Sequence, residues 1–381
     1  MSEPILYKGR GTPEMYDDLM DFLNYVFGFN GNEQDFKKLL PKLYKPEYNP
    51  TYANYVVTEN GKLKAAIGAY DSTLQVGEET LKSRGIGNVA VHPYARSKGY
   101  MIDCMTMALS DMVKDGVDFS ILGGLRQRYA YFGFEKCAPK YRVHLNKTNL
   151  RHCFRGVPLE KLELHPVEDS DTELLDQMYA LHATRPERTL RPREAFLDIL
   201  RSWQAEVVAI LRNGTFIGYY VGSLSELTLV DKADLYAVVR NYVEAKGELD
   251  MVFAGWDRET FEAMFEICED FSLGICENIS ILNYQHVLSA LLKFKASYTT
   301  LADGVITTRI HGYARDEVLK ISVTNGVPVV EDYQGECDFE FTHKEAMTFF
   351  LGIHSRHWNS MPAAIRDWFP LPLFVDSADQ V

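Results

Sequence analysis

Gly87-Asn-Val-Ala-Val-His-Pro-Tyr-Ala-Arg96-Ser-Lys-Gly99-Tyr-Met101 is the stretch on which the reading of this chain turns. It runs as a strand up to Val91, meets His92-Pro93, where proline ends a ladder, passes through a basic loop and opens a helix. That order aims several free backbone N–H groups and the positive end of a helix at one spot, which suits a diphosphate. Arg96 and Lys98 add charge, and Gly99 permits close approach of the backbone. Taken alone the R-x-x-G tetrapeptide is common, and a plain capped helix behind a basic loop is the competing reading.

Upstream, the segment 79–91 reads as the third strand after an antiparallel pair at 54–58 and 63–69, joined at Glu59-Asn60-Gly61, a strong hairpin signal. Before these, residues 12–44 carry helical spacing with a break at Phe29 to Asn32, so two helices are expected there. Glu14, Asp17, Asp18 and Asp21 form the solvated face of the first. Downstream, Tyr100, Met101, Cys104, Met105, Ala108, Leu109 and Met112 keep the helical period to Gly116, followed by a short buried strand at 119–122, Gly123-Gly124 and the aromatic run 128–134.

Around 149–166 the pattern turns irregular, and a domain boundary is expected there. A second α/β stretch follows, with helices at 171–183 and 192–203, strands at 205–212 and 214–224 around Asn213-Gly214, and helices at 231–246 and 258–268. From about Ile281 one helix (285–295), four strands (304–310, 317–324, 327–331, 336–341) and a helix (343–350) predict a small α+β domain. The final Trp368 to Val375 is apolar enough to predict burial, whereas Asp376 to Val381 is polar and leaves both a docked and a solvated end open.

With 381 residues, 46% apolar and 24% charged, the chain has room for two or three packed cores. Its net charge of −13 speaks against nucleic acid and agrees with a cationic partner. No run of eighteen apolar residues and no signal peptide is visible, so a cytoplasmic protein without a membrane partner is expected. Six scattered cysteines give neither zinc spacing nor a disulfide framework, and no metal is expected. His354 and His357 have the i, i+3 spacing of a metal pair, but without nearby carboxylates they and His343 read as solvent-facing.

Strand, turn, R-x-x-G, amphipathic helix, strand and aromatic segment follow the order of the GNAT superfamily, which the sequence resembles. It is more specifically similar to the Eis-like (enhanced intracellular survival) acetyltransferases through V-A-V-H-P-x-x-R-x-x-G at 89–99 and Tyr129-Ala-Tyr-Phe-Gly-Phe134. The resemblance implies an α/β fold of tandem GNAT units with mixed central sheets: a catalytic domain at 1–150, a degenerate one at 151–282, and a sterol-carrier-like domain with its tail at 283–381.

It further implies acetyl transfer from acetyl-CoA to a primary amine of aminoglycoside, polyamine or lysine type. Val89, Ala90 and Val91 would pair with the pantetheine arm, and Arg96, Ser97, Lys98, Gly99, Tyr100, Met101 and Ile102 would cradle the diphosphate. Gly124 and Leu125 would flank the acetyl group, Tyr129 would be the general acid with Tyr131 as the fallback, and the Val381 carboxylate would be the base. Phe27 and Phe29 are the candidate acceptor contacts, with core packing as an equal alternative. Tyr100 departs from the family's small aliphatic residue, and the second α/β stretch lacks an R-x-x-G loop, so one acetyl-CoA per chain is expected. The resemblance also implies a homo-oligomer of hexameric kind. A lipid carrier working through the last hundred residues is the leading rival, and an acyltransferase acting on N-terminal peptides is a third reading.

Overall fold

The computed structural model describes residues 4–29, 31 and 34–381. Strand β1 (Leu6–Arg10) precedes helix α1 (Tyr16–Gly28), which buries Leu19, Met20, Phe22 and Leu23. The second expected helix is two short turns, Phe36–Leu39 and Pro41–Tyr44, and part of the expected break, Asn30 and Asn32, lies outside the described residues. Strands β2 (Asn54–Glu59) and β3 (Lys62–Val76) meet at Asn60 and Gly61, whose φ values of 50° and 76° are those of a two-residue hairpin turn. The same Asn-Gly geometry recurs at Asn213-Gly214 and Asn325-Gly326.

Strand β4 (Glu79–Val91), helix α2 (Tyr100–Lys114) and strand β5 (Phe119–Leu122) follow as expected. β4 and β5 run parallel only from Ser83↔Phe119 to Ile86↔Leu122. Beyond Ile86, β4 continues to Val91 with β3 on one side and an open cleft on the other.

The strand β6 (Glu135–Asn146) was not legible, since Pro139 interrupts it and Ala138 holds a φ of 66°. Next come β7 (Glu163–Pro166), α3 (Thr172–His182), β8 (Glu187–Thr189), β9 (Val207–Arg212), β10 (Thr215–Val221), β11 (Glu226–Leu229), α4 (Leu235–Lys246), β12 (Glu248–Ala254), α5 (Arg258–Ile267) and β13 (Asp270–Ile281). The helix expected at 192–203 is regular only over Phe196–Leu200.

Among the described residues the central sheet has the order β1-β2-β3-β4-β5-β13-β6-β12, with β8 added beside β3. Strands from either side of residue 150 therefore alternate: β13 fills the place between β5 and β6, and β6 lies between β13 and β12. Neither half completes its sheet without the other. A separate sheet, β11-β10-β9-β7, carries the middle of the chain. Because β11 and β12 belong to different sheets, a cavity of about 490 Å³ opens between them.

The last third holds α6 (Tyr284–Tyr298), β14 (Gly304–His311), β15 (Asp316–Thr324), β16 (Val327–Asp332), β17 (Phe339–Thr342) and α7 (His343–Leu351). The sheet order is β16-β15-β14-β17, with β14 and β17 parallel. Its core is filled by Phe341, Phe349, Phe350 and Trp368, all fully buried, each contributing roughly 1.5–3 kcal/mol over an exposed position. His343 is not solvent-facing: its Nε2 lies 2.8 Å from the carbonyl of Gly133 and its Nδ1 3.0 Å from the Tyr284 hydroxyl, tying this part of the chain to the aromatic run. No helix among the described residues is long and apolar enough to cross a membrane.

Candidate active site

The site forms where β4 and β5 part. β3 pairs Ala66 with Ala90 and Gly68 with Gly87, so the single residue Ile67 opposes both Asn88 and Val89. This is a β-bulge, and Asn88 takes a φ of 41°, a region that asparagine tolerates better than most residues. After the bulge, the free edge of Val89, Ala90 and Val91 faces the cleft, ready to pair with an extended ligand.

At the outer end of the cleft the loop reaches α2. Ser97 and Gly99 hold φ values of 67° and 82°, which bends the chain so that the first-turn amides of α2 face outward. Arg96, Ser97, Lys98, Gly99 and Ile102 are exposed, and Met101 is half-buried. Lys98 is partly committed: its Nζ donates to Glu59 at 2.6 Å, and the buried Tyr100 donates its hydroxyl to the same carboxylate. Tyr100 thus anchors the start of α2 to the end of β2.

On the other arm, Gly123-Gly124 follows β5. Asn278 of β13 donates its Nδ2 to the carbonyls of Leu122 (3.2 Å) and Gly124 (3.1 Å), so a strand from the far half of the chain shapes this loop. Tyr129 packs beneath Gly124, where a methyl group would come within 2.8 Å of its ring. Of the two candidate tyrosines, Tyr129 is 5% exposed and Tyr131 is 74% exposed. Burial pushes the Tyr129 phenol pKa up against the opposing pull of Arg128, so the hydroxyl keeps its proton at neutral pH. Leu125 is exposed at the rim.

The apex of the cleft is occupied by the last residue. A methyl on Gly85 would lie 2.5 Å from Val381 Cγ2, and one on Gly87 would lie 3.2 Å from the main-chain carbon of Val381. The polar tail is docked by charge. Lys42 Nζ donates to the carbonyls of Ala378 and Gln380, both at 2.6 Å. Arg191 donates to Asp379 at 2.9 and 2.8 Å and to Glu226 at 2.9 and 2.7 Å, and Arg185 holds Asp376 at 2.8 Å. Trp203 Nε1 donates to Gln380 O at 3.2 Å.

Two cavities meet at Val381. One of about 200 Å³ is lined by Lys42, Tyr70, Asp71, Arg191 and Asp379, among others. The second, about 340 Å³, is walled by Ile121, Leu122, Gly123, Trp203 and Glu277 together with the tail. Phe27 and Phe29 line neither; they are 42% and 44% exposed, with Phe27 edge-on to Phe36 and Phe29 edge-on to Tyr25. Sequence reasoning missed Lys42, Tyr70, Arg191, Trp203 and Glu277, since they come from five separate segments of the chain and share no spacing. The two aspartates of the tail, Asp376 and Asp379, were the one available signal.

Comparison with known proteins bears on the domain and the fold. Residues 10–137 match the acetyltransferase (GNAT) domain family. Over the full chain, the fold is similar to a conserved protein of unknown function from Enterococcus faecalis V583 described as a "Probable N-Acyltransferase", at 14% identity, TM-score 0.69 and 100% of both chains. It is also similar to a GCN5-related N-acetyltransferase from Kribbella flavida, at 14% identity, TM-score 0.67, and 100% of this chain against 99% of that one. Eis1 from Mycobacterium abscessus aligns over 96% of this chain and 97% of its own, at 13% identity and TM-score 0.63. At such identities the likeness is one of fold. No curated protein matches the sequence.

Proposed function

We propose that this chain, an acyltransferase carrying a GNAT acetyltransferase domain over residues 10–137, moves an acetyl group from acetyl-CoA to a primary amine by direct transfer. The observation that carries the reading is the parting of β4 and β5 after Ile86, with an outward-facing helix start at one end and Val381 wedged at the apex. The edge of Val89 to Val91 pairs with the pantetheine arm, and the loop Arg96 to Ile102 receives the diphosphate. Gly124 and Leu125 flank the acetyl group.

The amine attacks the thioester carbonyl, the Val381 carboxylate takes the proton the nitrogen sheds, and the C–S bond breaks as Tyr129 gives its proton to the departing sulfur. Positioning and proton transfer supply the rate, and no covalent enzyme intermediate forms. The cavity walled by Trp203 and Glu277 receives the acceptor, because an indole face and a carboxylate together favour an alkylammonium group. Aminoglycosides, polyamines and lysine side chains share that chemistry. Phe27 and Phe29 line neither cavity and take no part in this step.

One acetyl-CoA binds per chain. The short turn Lys232–Asp234 that leads into α4 is already capped by a carboxylate, since Asp231 accepts from the Ala233 amide at 2.9 Å, and negative charge there repels a diphosphate. Residues 151–282 then form a degenerate GNAT unit that completes the catalytic sheet, and 283–381 a sterol-carrier-like unit that delivers the tail. The aromatic filling of that last core favours a structural role over lipid carriage. A cytoplasmic homo-oligomer of hexameric kind completes the proposal.

Calorimetry with coenzyme A, followed by thiol release from acetyl-CoA in the presence of spermine, kanamycin or Nα-acetyl-lysine amide, tests it. Binding that is lost in the double variant Arg96→Glu, Lys98→Glu, and turnover with at least one amine, are expected. A wild-type chain that does not bind coenzyme A would end the assignment.

A further inference from the structure

We propose that Tyr70 is a positioning residue for acyl transfer, acting through Asn88: it holds the β4 bulge in the conformation that presents main-chain groups of residues 88 and 89 to the acetyl thioester. The inference rests on the reading of the β4 edge as the seat of acetyl-CoA.

A polar cluster of four side chains from four elements, three of them buried, surrounds the bulge. The Tyr70 and Tyr44 hydroxyls donate to Asn88 Oδ1 at 2.7 and 2.8 Å and stand 2.7 Å from each other. Asn88 Nδ2 donates to Asn54 Oδ1 at 2.8 Å, and Asn54 Nδ2 donates to Pro50 O at 3.0 Å and to the Tyr70 hydroxyl at 3.3 Å. Tyr44, Tyr70 and Asn54 are buried and Asn88 is half-buried, so the bonds among the first three are made away from competing water and those to Asn88 lie at the edge of that dry cluster.

Both polar atoms of the Asn88 side chain are therefore engaged inside the cluster. Asn88 is also the residue at positive φ, and it is the bulge that leaves main-chain groups unpaired with β3. An L-residue in that conformation persists when its surroundings hold it. Tyr70 holds it from β3, the neighbouring strand, and the same ring lies against Gly87 beside Val381. Gly68 is required because a methyl there would collide with the Asn88 amide and the Tyr70 ring. The cluster thus fixes the direction of the bulge, and the bulge lies at the point where the free β4 edge begins.

The experiment compares Tyr70→Phe, Asn88→Gly and the double variant. Phenylalanine keeps the ring against Gly87 and removes only the hydroxyl. Glycine reaches positive φ without help from a side chain. For Tyr70→Phe, turnover of acetyl-CoA with spermine should fall by about ten- to a hundredfold, in the range that misplacement of reacting groups produces. The dissociation constant for coenzyme A, which lacks the acetyl group, should stay within about twofold of the wild type. In the Asn88→Gly background the same Tyr70→Phe change should cost less than about threefold, because the contact it removes is already gone. If Tyr70→Phe folds poorly, Tyr44→Phe removes the other phenol from Asn88 and should act in the same direction. Unchanged turnover in Tyr70→Phe, or an equal loss in both backgrounds, overturns the inference while leaving the cofactor site standing. Absence of coenzyme A binding by the wild type overturns the cofactor reading itself.

Discussion

Val381 seats its side chain on Gly85: a methyl group on that glycine would stand 2.5 Å from Val381 Cγ2, well inside contact distance. The strand and the tail have been fitted to each other across nearly three hundred residues. Gly85 has no positive φ to explain its identity, so its lack of a side chain serves the docked residue.

Gly85→Ala should therefore dislodge the tail. The expected outcome is a fall in kcat of about tenfold or more, with coenzyme A affinity held within about threefold, because the diphosphate loop is remote from Gly85. Steady-state kinetics with calorimetry checks both halves, and limited carboxypeptidase digestion should release Val381 faster from the variant.

Tyr129→Phe should lower turnover by about a hundredfold, the usual size of an acid–base contribution, with coenzyme A affinity nearly intact. The phenol is buried and its pKa is raised, so it enters the reaction protonated. A loss of cofactor affinity instead would mark Tyr129 as a packing residue.

Glu277→Gln should raise KM for a cationic amine such as spermine by about tenfold while leaving KM for acetyl-CoA unchanged. Lys136 at 3.5 Å shares the Glu277 charge, so Lys136→Met should shift the amine KM the other way. Initial rates at two amine concentrations spanning KM distinguish these outcomes from a general loss of activity.

Stability should fall as pH rises, through Glu187. Burial raises its pKa from 4.5 to about 8, against the stabilising donors Phe374 N–H and Trp256 Nε1–H; Asp376 adds to the rise and Arg185 opposes it. Between those two values the folded chain holds a proton that the unfolded chain has released. The contribution is fully present below pH 4.5 and is lost as pH climbs through about 8, at up to roughly 1.4 kcal/mol per pH unit. Glu187→Gln should flatten the decline in Tm between pH 5 and pH 8 measured by thermal unfolding.

The parts whose signals are local could be read along the chain. Asn-Gly fixed two hairpins because both residues reach positive φ, the apolar period fixed α2, and Pro93, Arg96 and Gly99 marked where a strand gives way to an outward-facing helix start. These depend on neighbours a few residues apart. β6 and β13 left weaker traces, since each lies between two other strands and is stabilised by partners that its own residues do not name.

Folding alone set the alternation of β5, β13, β6 and β12, and with it the arrival of Asn278 and Glu277 beside a loop more than 150 residues earlier. It also decided the fate of the polar end. Asp376 and Asp379 left a docked and a solvated end equally open until Arg185 and Arg191 are brought to meet them, and burying such charges is tolerable only when each is paired. Long-range pairing is set by which surfaces the folded sheets bring together, and no spacing along the chain encodes it.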